Sequence, residues 1–307
     1  MAVSGSKDFE PNVAEYIEEA FERCGLELRT GYDARTARRS LNFLFADWAN
    51  RGLNQWTISQ VTQTVVSGVT DYPVGTITLT VADSSSFTVG ETITGGTSAA
   101  TASIITKPSS TTMTITVPSG TFSATETITG ASSAATTTVS SAVSLEDVQS
   151  TIDILNAVVR RSSEDLSINR ISRDDYLSIP DKTATGRPNQ YFVDRLITPV
   201  MKIWPSPENS TDQIIYDRLV RIDDADASVN TLEIPFRFYP CLAAGLAYYI
   251  SLKRAPDRVQ ILKGLYEEEF DRAAQEDRDK ASVNLVPSFT FVTGVLIWEN
   301  GLLENML

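Results

Sequence analysis

Adjacent carboxylates stand at two places in the chain, Asp174-Asp175 and Asp223-Asp224. Paired acids are the raw material of glycoside cleavage, where one carboxyl protonates the leaving group and the other attacks or activates water. They are also the main catalytic option that the composition leaves open. None of the 307 residues is a histidine. That removes Ser–His and Cys–His nucleophile pairs, imidazole general bases and histidine zinc ligands. The two cysteines, Cys24 and Cys241, cannot build a zinc cage alone. Both acid pairs lie in polar, turn-like sequence, and no aromatic sugar platform accompanies them. Ser172 and Asp175 in "SRDDYL" have the spacing of a capping box instead. The acid pairs therefore read as caps and solvated turns, and the chain reads as a non-enzyme with no cofactor and no metal.

Composition agrees with a structural role. Hydrophobic residues make up 42% and charged residues 21%, enough for an ordinary core. The net charge of −13 repels DNA, anionic lipid and acidic substrates, so tight nucleic-acid binding is not expected. Each cysteine sits in an apolar helical run and reads as a buried free thiol of a reducing compartment. The start, "MAVSGSKDFEPNVAEY", has no apolar signal core. The most apolar run, "YPCLAAGLAYYISL", is too short to span a bilayer and reads as a buried helix.

Apolar spacing predicts helices at both ends. Val13, Ile17, Ala20, Phe21 and Cys24 share one helical face, with Pro11 in the first turn and Gly25 at the stop. Ala37, Leu41, Leu44, Phe45 and Trp48 form the stripe of a second helix, with Asp33 as its N-cap and Gly52 as its stop. Near the other end, a helix after Pro256 carries Val259, Leu262, Tyr266, Phe270 and Ala273 on one face. Strand-like sequence fills Thr57 to Val74 and Thr151 to Ile222, and these segments are expected to form one sheet.

Between them the composition changes to Thr, Ser, Ala, Gly and Val. "FTVGETITGGTSAAT" at Phe87 returns 35 residues later as "FSATETITGASSAAT" at Phe122. The alternation and the repeat predict a small all-β module of two similar halves, each with its own Phe in a half-core. The expected fold class is α+β. Residues 1–74 and 145–286 make a four-helix core with a flanking antiparallel sheet, residues 75–144 are an inserted β module, and residues 287–307 form a docking tail. Long insertions cost little loop-closure entropy when their ends emerge side by side.

From Asn169 onward the sequence becomes more specific. "INRISRDDYLSIPDKTATGRPNQYFVDR", "MKIWPSPENSTDQIIYDRLVRIDD" and "TLEIPFRFYPCLAAGLAYYISLKRAPDRVQILKGLYEEEFDRAAQEDRDKAS" follow in turn, and "ARTARRSLNFLFADWANRGLNQWTI" precedes them. Together these segments resemble the head-to-tail adaptor, or connector, proteins of short-tailed bacteriophages. The shared pattern is a helix pair, a W-P-x-P strand end, an I-P step before the apolar helix, and an acidic last helix. The resemblance implies a ring of about twelve copies, docked on a portal protein and a tail nozzle protein. Genomic DNA would pass through its channel without tight binding. It implies a place in the neck or tail of a virion assembled in a bacterial cytoplasm, and no membrane. The inserted module and the hydrophobic tail depart from that family pattern.

Within this reading, Arg35, Arg38 and Arg39 are expected at a ring or portal contact. Glu267, Glu268, Asp271 and Glu276 are expected to face the DNA channel, where negative charge would keep phosphates sliding. Phe289, Phe291, Val295, Leu296, Ile297 and Trp298 are expected to dock on a partner. Two other classes stay open at this point: a tail-associated glycan-cleaving enzyme using a carboxylate pair, and a surface adhesin acting through the β module.

Overall fold

A computed structural model of the chain describes residue 5 and residues 8–52 and 55–277. The fold is α+β. Helices α1 (Val13–Arg23) and α2 (Gly31–Asn50) open it, followed by strands β1 (Ile58–Thr64) and β2 (Asp71–Pro73). Six strands make the module: β3 (Thr78–Thr80), β4 (Thr92–Gly95), β5 (Thr101–Ser109), β6 (Thr112–Ile115), β7 (Thr127–Gly130) and β8 (Thr136–Thr138). The chain returns through α3 (Glu146–Gln149), β9 (Thr151–Arg161), β10 (Glu164–Ser167), β11 (Asn169–Arg170) and α4 (Arg173–Ser178). Strands β12 (Thr185–Gly186), β13 (Gln190–Asp194), β14 (Val200–Trp204), β15 (Ser206–Pro207) and β16 (Gln213–Val220) follow, before α5 (Tyr239–Arg254) and α6 (Val259–Glu276).

The helices of the two chain ends share one apolar interior. Ile17 and Phe21 of α1, Leu44 and Trp48 of α2, Leu246 of α5 and Tyr266 of α6 all belong to it. Helix α5 is the hub, packed by α1, α2 and α6. At Gly245 the approach is so close that an added Cβ would lie 2.9 Å from both Leu44 of α2 and Tyr266 of α6. Such spacing leaves no room for a larger residue without repacking two helices. Among the described residues, no helix is long and apolar enough to cross a membrane.

The helix starts differ from expectation in two places. Pro11 lies before α1 rather than inside it; Asn12 is the cap, in a reciprocal box with Glu15. The cap of α2 is Thr30, not Asp33. Thr30 Oγ1 accepts from the Asp33 amide and donates to the Asp33 carboxylate, so Asp33 supports the cap from N3. Its carboxylate also pairs with Arg254, fastening the start of α2 to the end of α5.

The core strands form two four-stranded sheets rather than one. Their orders are β1-β16-β9-β10 and β11-β13-β14-β2. Alternation along β14 and β16 marks which face is apolar but not which strand lies beside it. Splitting the strands lets Ile154, Ile214 and Tyr216 of one sheet bury against Tyr72, Met201 and Ile203 of the other.

The module is a closed barrel with internal two-fold character. Strand β4 pairs antiparallel with β7, and Thr94 faces Thr129, its own counterpart in the second repeat. Strand β3 pairs likewise with β6. The sheet order β3-β6-β5-β4-β7-β8 closes where the Ala82 amide donates to Thr138 (2.9 Å) and the Ser140 amide donates to Thr80 (2.8 Å). Closure leaves no free sheet edge to template pairing with other chains. Phe87 and Phe122 enter one common interior, not two half-cores, because each repeat alone supplies only half a barrel. Val148 of α3 also enters it, so the barrel takes in residues beyond 144.

Two glutamates lock the halves reciprocally. Glu91 of the first repeat accepts from the Ser132 and Ser133 amides (3.2 and 3.0 Å) and the Ser133 hydroxyl (2.9 Å) of the second. Glu126 of the second accepts from the Thr97 and Ser98 amides (3.2 and 3.0 Å) and the Ser98 hydroxyl (2.8 Å) of the first. Each also caps its own turn, through Thr88 and Ser123 respectively, both at 2.6 Å. Gly95 and Gly130 stay side-chain-free so that the opposing carboxylate can come this close.

Arg218 clamps the barrel to the sheets. It is 7% exposed, and its guanidinium donates to the Asp147 carbonyl (2.9 Å), Thr151 Oγ1 (3.0 Å) and the Asp147 carboxylate (2.5 Å). The Gly75 amide meets Tyr216 Oη at 2.8 Å beside it, so the entering and leaving segments are held at one point. Replacing Arg218 by methionine is expected to cost about 2–4 kcal/mol, since buried acceptors lose their donor. Residues 74–76 and 147–151 should then become sensitive to protease. Wild-type melting and wild-type resistance to cleavage would refute the clamp.

Candidate functional site on the helical core

Helix α2 presents one coherent outward stripe. Tyr32, Arg35, Arg39 and Phe43 recur at spacings of three, four and four and are exposed, while Ala37, Leu41, Leu44 and Trp48 face inward. The sequence reading found the arginines but not the two aromatics between which they sit. The signal was present in the helical spacing itself, since Tyr32 and Phe43 fall off the buried stripe. Tyr32 is 59% and Phe43 58% exposed, a large apolar surface to leave in water on one helix face. Arg38 is a correction. It points away from that stripe and donates to the Asp226 carbonyl at 2.6 Å, fixing α2 to the segment after β16. Asn42 does the same, accepting from the Ala225 amide at 2.8 Å.

Lys253 of α5 extends the basic character of this flank. It donates to Ser40 Oγ at 2.7 Å. Burial, and then the neighbouring charge of Arg39, lower its pKa from the ordinary lysine value. That second cause is the sign of cations crowded without local neutralisation.

The expected acidic face of α6 divides. Glu267 is half-buried and bidentate to Arg51, at 2.9 and 3.2 Å. Hydrogen bonding to that guanidinium holds its carboxyl below the usual range. Arg51 also meets Asp47 at 3.0 Å and stacks 4.4 Å from the Phe270 ring centroid. Glu267 thus ties α2 to α6. Glu268 is exposed but pairs with Arg272, which also reaches Glu269 at 3.1 Å. Asp271 and Glu276 are exposed on the outer side of the helix. Phe289, Phe291, Val295, Leu296, Ile297 and Trp298 lie outside the described residues.

The acid pairs lie in separate surroundings. Asp175 closes the box with Ser172, whose hydroxyl donates to it at 2.8 Å. Asp223 and Asp224 are exposed on the wall of an open cleft of about 790 Å³ that also includes Glu146, Asp226, Glu233 and Arg221. Among the described residues, no three His, Cys, Asp or Glu side chains are grouped to hold a metal ion. Both cysteines are free and buried, and Cys24 donates from Sγ to the Ala247 carbonyl at 3.2 Å. Burial pushes the Cys241 thiol pKa well up, which makes it an inert packing group.

No protein-family model matches the chain, and no curated protein matches it.

Proposed function

We propose that this chain is a structural virion protein, a head-to-tail adaptor whose copies form a ring between a portal and a tail nozzle. The observation that carries the reading is the shared helical interior, in which residues from both ends of the chain close around α5. A subunit whose first two and last two described helices pack around one interior presents fixed outer faces, which ring contacts require. The sequence segments that resemble phage adaptors fall on that body and on the sheets beside it. Ile234-Pro235 leads into the apolar hub helix, and Trp204-Pro205 ends β14.

In this reading the ring extends the DNA channel, with Glu267, Glu268, Asp271 and Glu276 as the candidates for lumen-facing charge. Acidic side chains there would let phosphates pass without counterion-releasing contacts. The β barrel stands out from the core as an added surface, and the chemistry is assembly rather than catalysis. No cofactor enters it.

The test is reconstitution. The purified chain is mixed with portal rings from the same virion and imaged by electron microscopy. A second ring stacked coaxially on the portal is the expected outcome. Portal rings that stay bare at saturating protein would remove the adaptor reading.

A further inference from the structure

We propose that the ring contact joins the Tyr32-Arg35-Arg39-Phe43 face of α2 to the Glu18-Glu22 edge of α1 in the next copy. This deepens, and rests on, the ring-forming reading. Four observations carry it. First, the α2 face is built from the residue types that interfaces favour, Tyr, Phe and Arg. Second, among the described residues neither Arg35 nor Arg39 has an ion-pair partner in its own chain, although the net charge is −13 and carboxylates are abundant. Arg51, Arg161 and Arg170, by contrast, each meet a carboxylate of their own chain. Third, the outer edge of α1 carries Glu15, Glu18, Glu19 and Glu22, all exposed.

Fourth, two of those four are already committed. Glu15 closes its own capping box, and Glu19 meets Arg23 at 2.7 Å. Glu18 and Glu22, one turn apart, make no side-chain contact to a described residue. Arg35 and Arg39 are also one turn apart. Two cations and two anions at matched helical pitch can face each other across a contact, with Tyr32 and Phe43 supplying the apolar ends. Because the two faces lie on different helices, repeating the contact in one direction closes a ring, whereas its reciprocal use by two copies closes a dimer. Opposed charge of this sort sets partner and register more than raw affinity. A nucleic-acid occupant is disfavoured by the acidic surroundings of so small a basic patch.

The experiment uses the full chain and reads mass by sedimentation velocity at low salt. One variant carries Arg35→Glu and Arg39→Glu; another carries Glu18→Arg and Glu22→Arg. All four positions are surface residues, and unchanged circular dichroism and melting establish that each variant folds. Either variant alone should weaken self-association by about tenfold or more, since attraction becomes repulsion at both pairs. An equimolar mixture should recover assembly, because each variant then offers the charge that the other lacks. So should a single chain carrying all four changes.

Failure of the mixture to recover, or undiminished assembly of either variant, overturns the proposed contact. If the wild type forms rings and the variants do too, only the contact falls and the ring stands. If charge exchange rescues assembly but the wild type stops at a closed dimer, the contact stands and the ring falls. A wild type that stays monomeric at every concentration, with portal rings present as well as alone, removes both.

Discussion

Replacing Glu91 with alanine is expected to destabilise the β barrel by about 3–5 kcal/mol, the range of a broken buried hydrogen-bond network. Glu91 is only 6% exposed and receives amides from Thr88, Ser132 and Ser133. Its removal strands those donors in a closed barrel, at about 1–3 kcal/mol each when water cannot replace the acceptor. Glu126→Ala should cost a similar amount, because it holds the same place in the other repeat. Glu91→Gln should cost less, since it keeps the shape and one acceptor while setting an amide group against N–H donors.

The pair also gives the barrel an acid limit. Burial alone would raise both carboxyl pKa values, but the hydrogen bonds from the opposing loops outweigh it and the net shift is downward for each. A carboxylate with a depressed folded pKa contributes stability above its unfolded value, about 4.3 for Glu, and loses it as pH falls through the folded value. The wild-type barrel should therefore hold a flat stability from about pH 5 upward and weaken below about pH 4. Urea titrations across that range check both statements. A Glu91→Ala loss under about 0.5 kcal/mol, within the range of an ordinary surface change, would show that the lock is not structural.

Trp48→Ala should be the most damaging single change in the helical core, at about 3–5 kcal/mol. The indole is fully buried, its Nε1–H donates to Tyr266 Oη at 3.0 Å, and its ring lies 5.4 Å from Phe238 and 6.4 Å from Phe270. It thus touches the start of α5 and the middle of α6, the latter across 218 residues of chain. Loss of it leaves a cavity and removes the donor to the Tyr266 hydroxyl, which keeps only its own bond to Asp47 at 3.1 Å. Phe43→Ala, on the outward stripe of the same helix, should change stability by less than about 0.5 kcal/mol. Denaturant unfolding followed at far-ultraviolet wavelengths separates the two. Equal, small effects from both variants would mean that the ends of the chain do not share a core.

Much of the helical unit was legible because its signal is local. A 3.6-residue period marks a buried face wherever it occurs, so Val13 to Cys24 and Leu262 to Ala273 could be placed without knowing their neighbours. Caps were less legible: Thr30 lies three residues before the acid that looked like the cap, and both residues are polar. Strand partners were not legible, since β2 pairs with β14 and not with the nearby β1. That choice is made by which faces must be covered, a property of the whole sheet. The repeat announced two equal halves but not their closure into one interior, because Phe87 and Phe122 read as buried in either arrangement. Glu91 and Glu126 passed unnoticed for the same kind of reason. A lone Glu in a Thr-rich strand normally faces water, and only their identical place in each "ETITG" hinted at a shared role. On the candidate surface, Arg35 and Arg39 were legible as charges, whereas Arg38 and Glu267 took internal partners that no spacing rule reveals.

The ring itself is tested most directly by the mass of the purified wild-type chain in solution, measured over a wide concentration range. A closed assembly of about twelve copies of the 33.6 kDa chain, about 400 kDa in all, is the expected species. A chain that stays a single copy or a closed dimer at every concentration, both alone and mixed with portal rings, would contradict it.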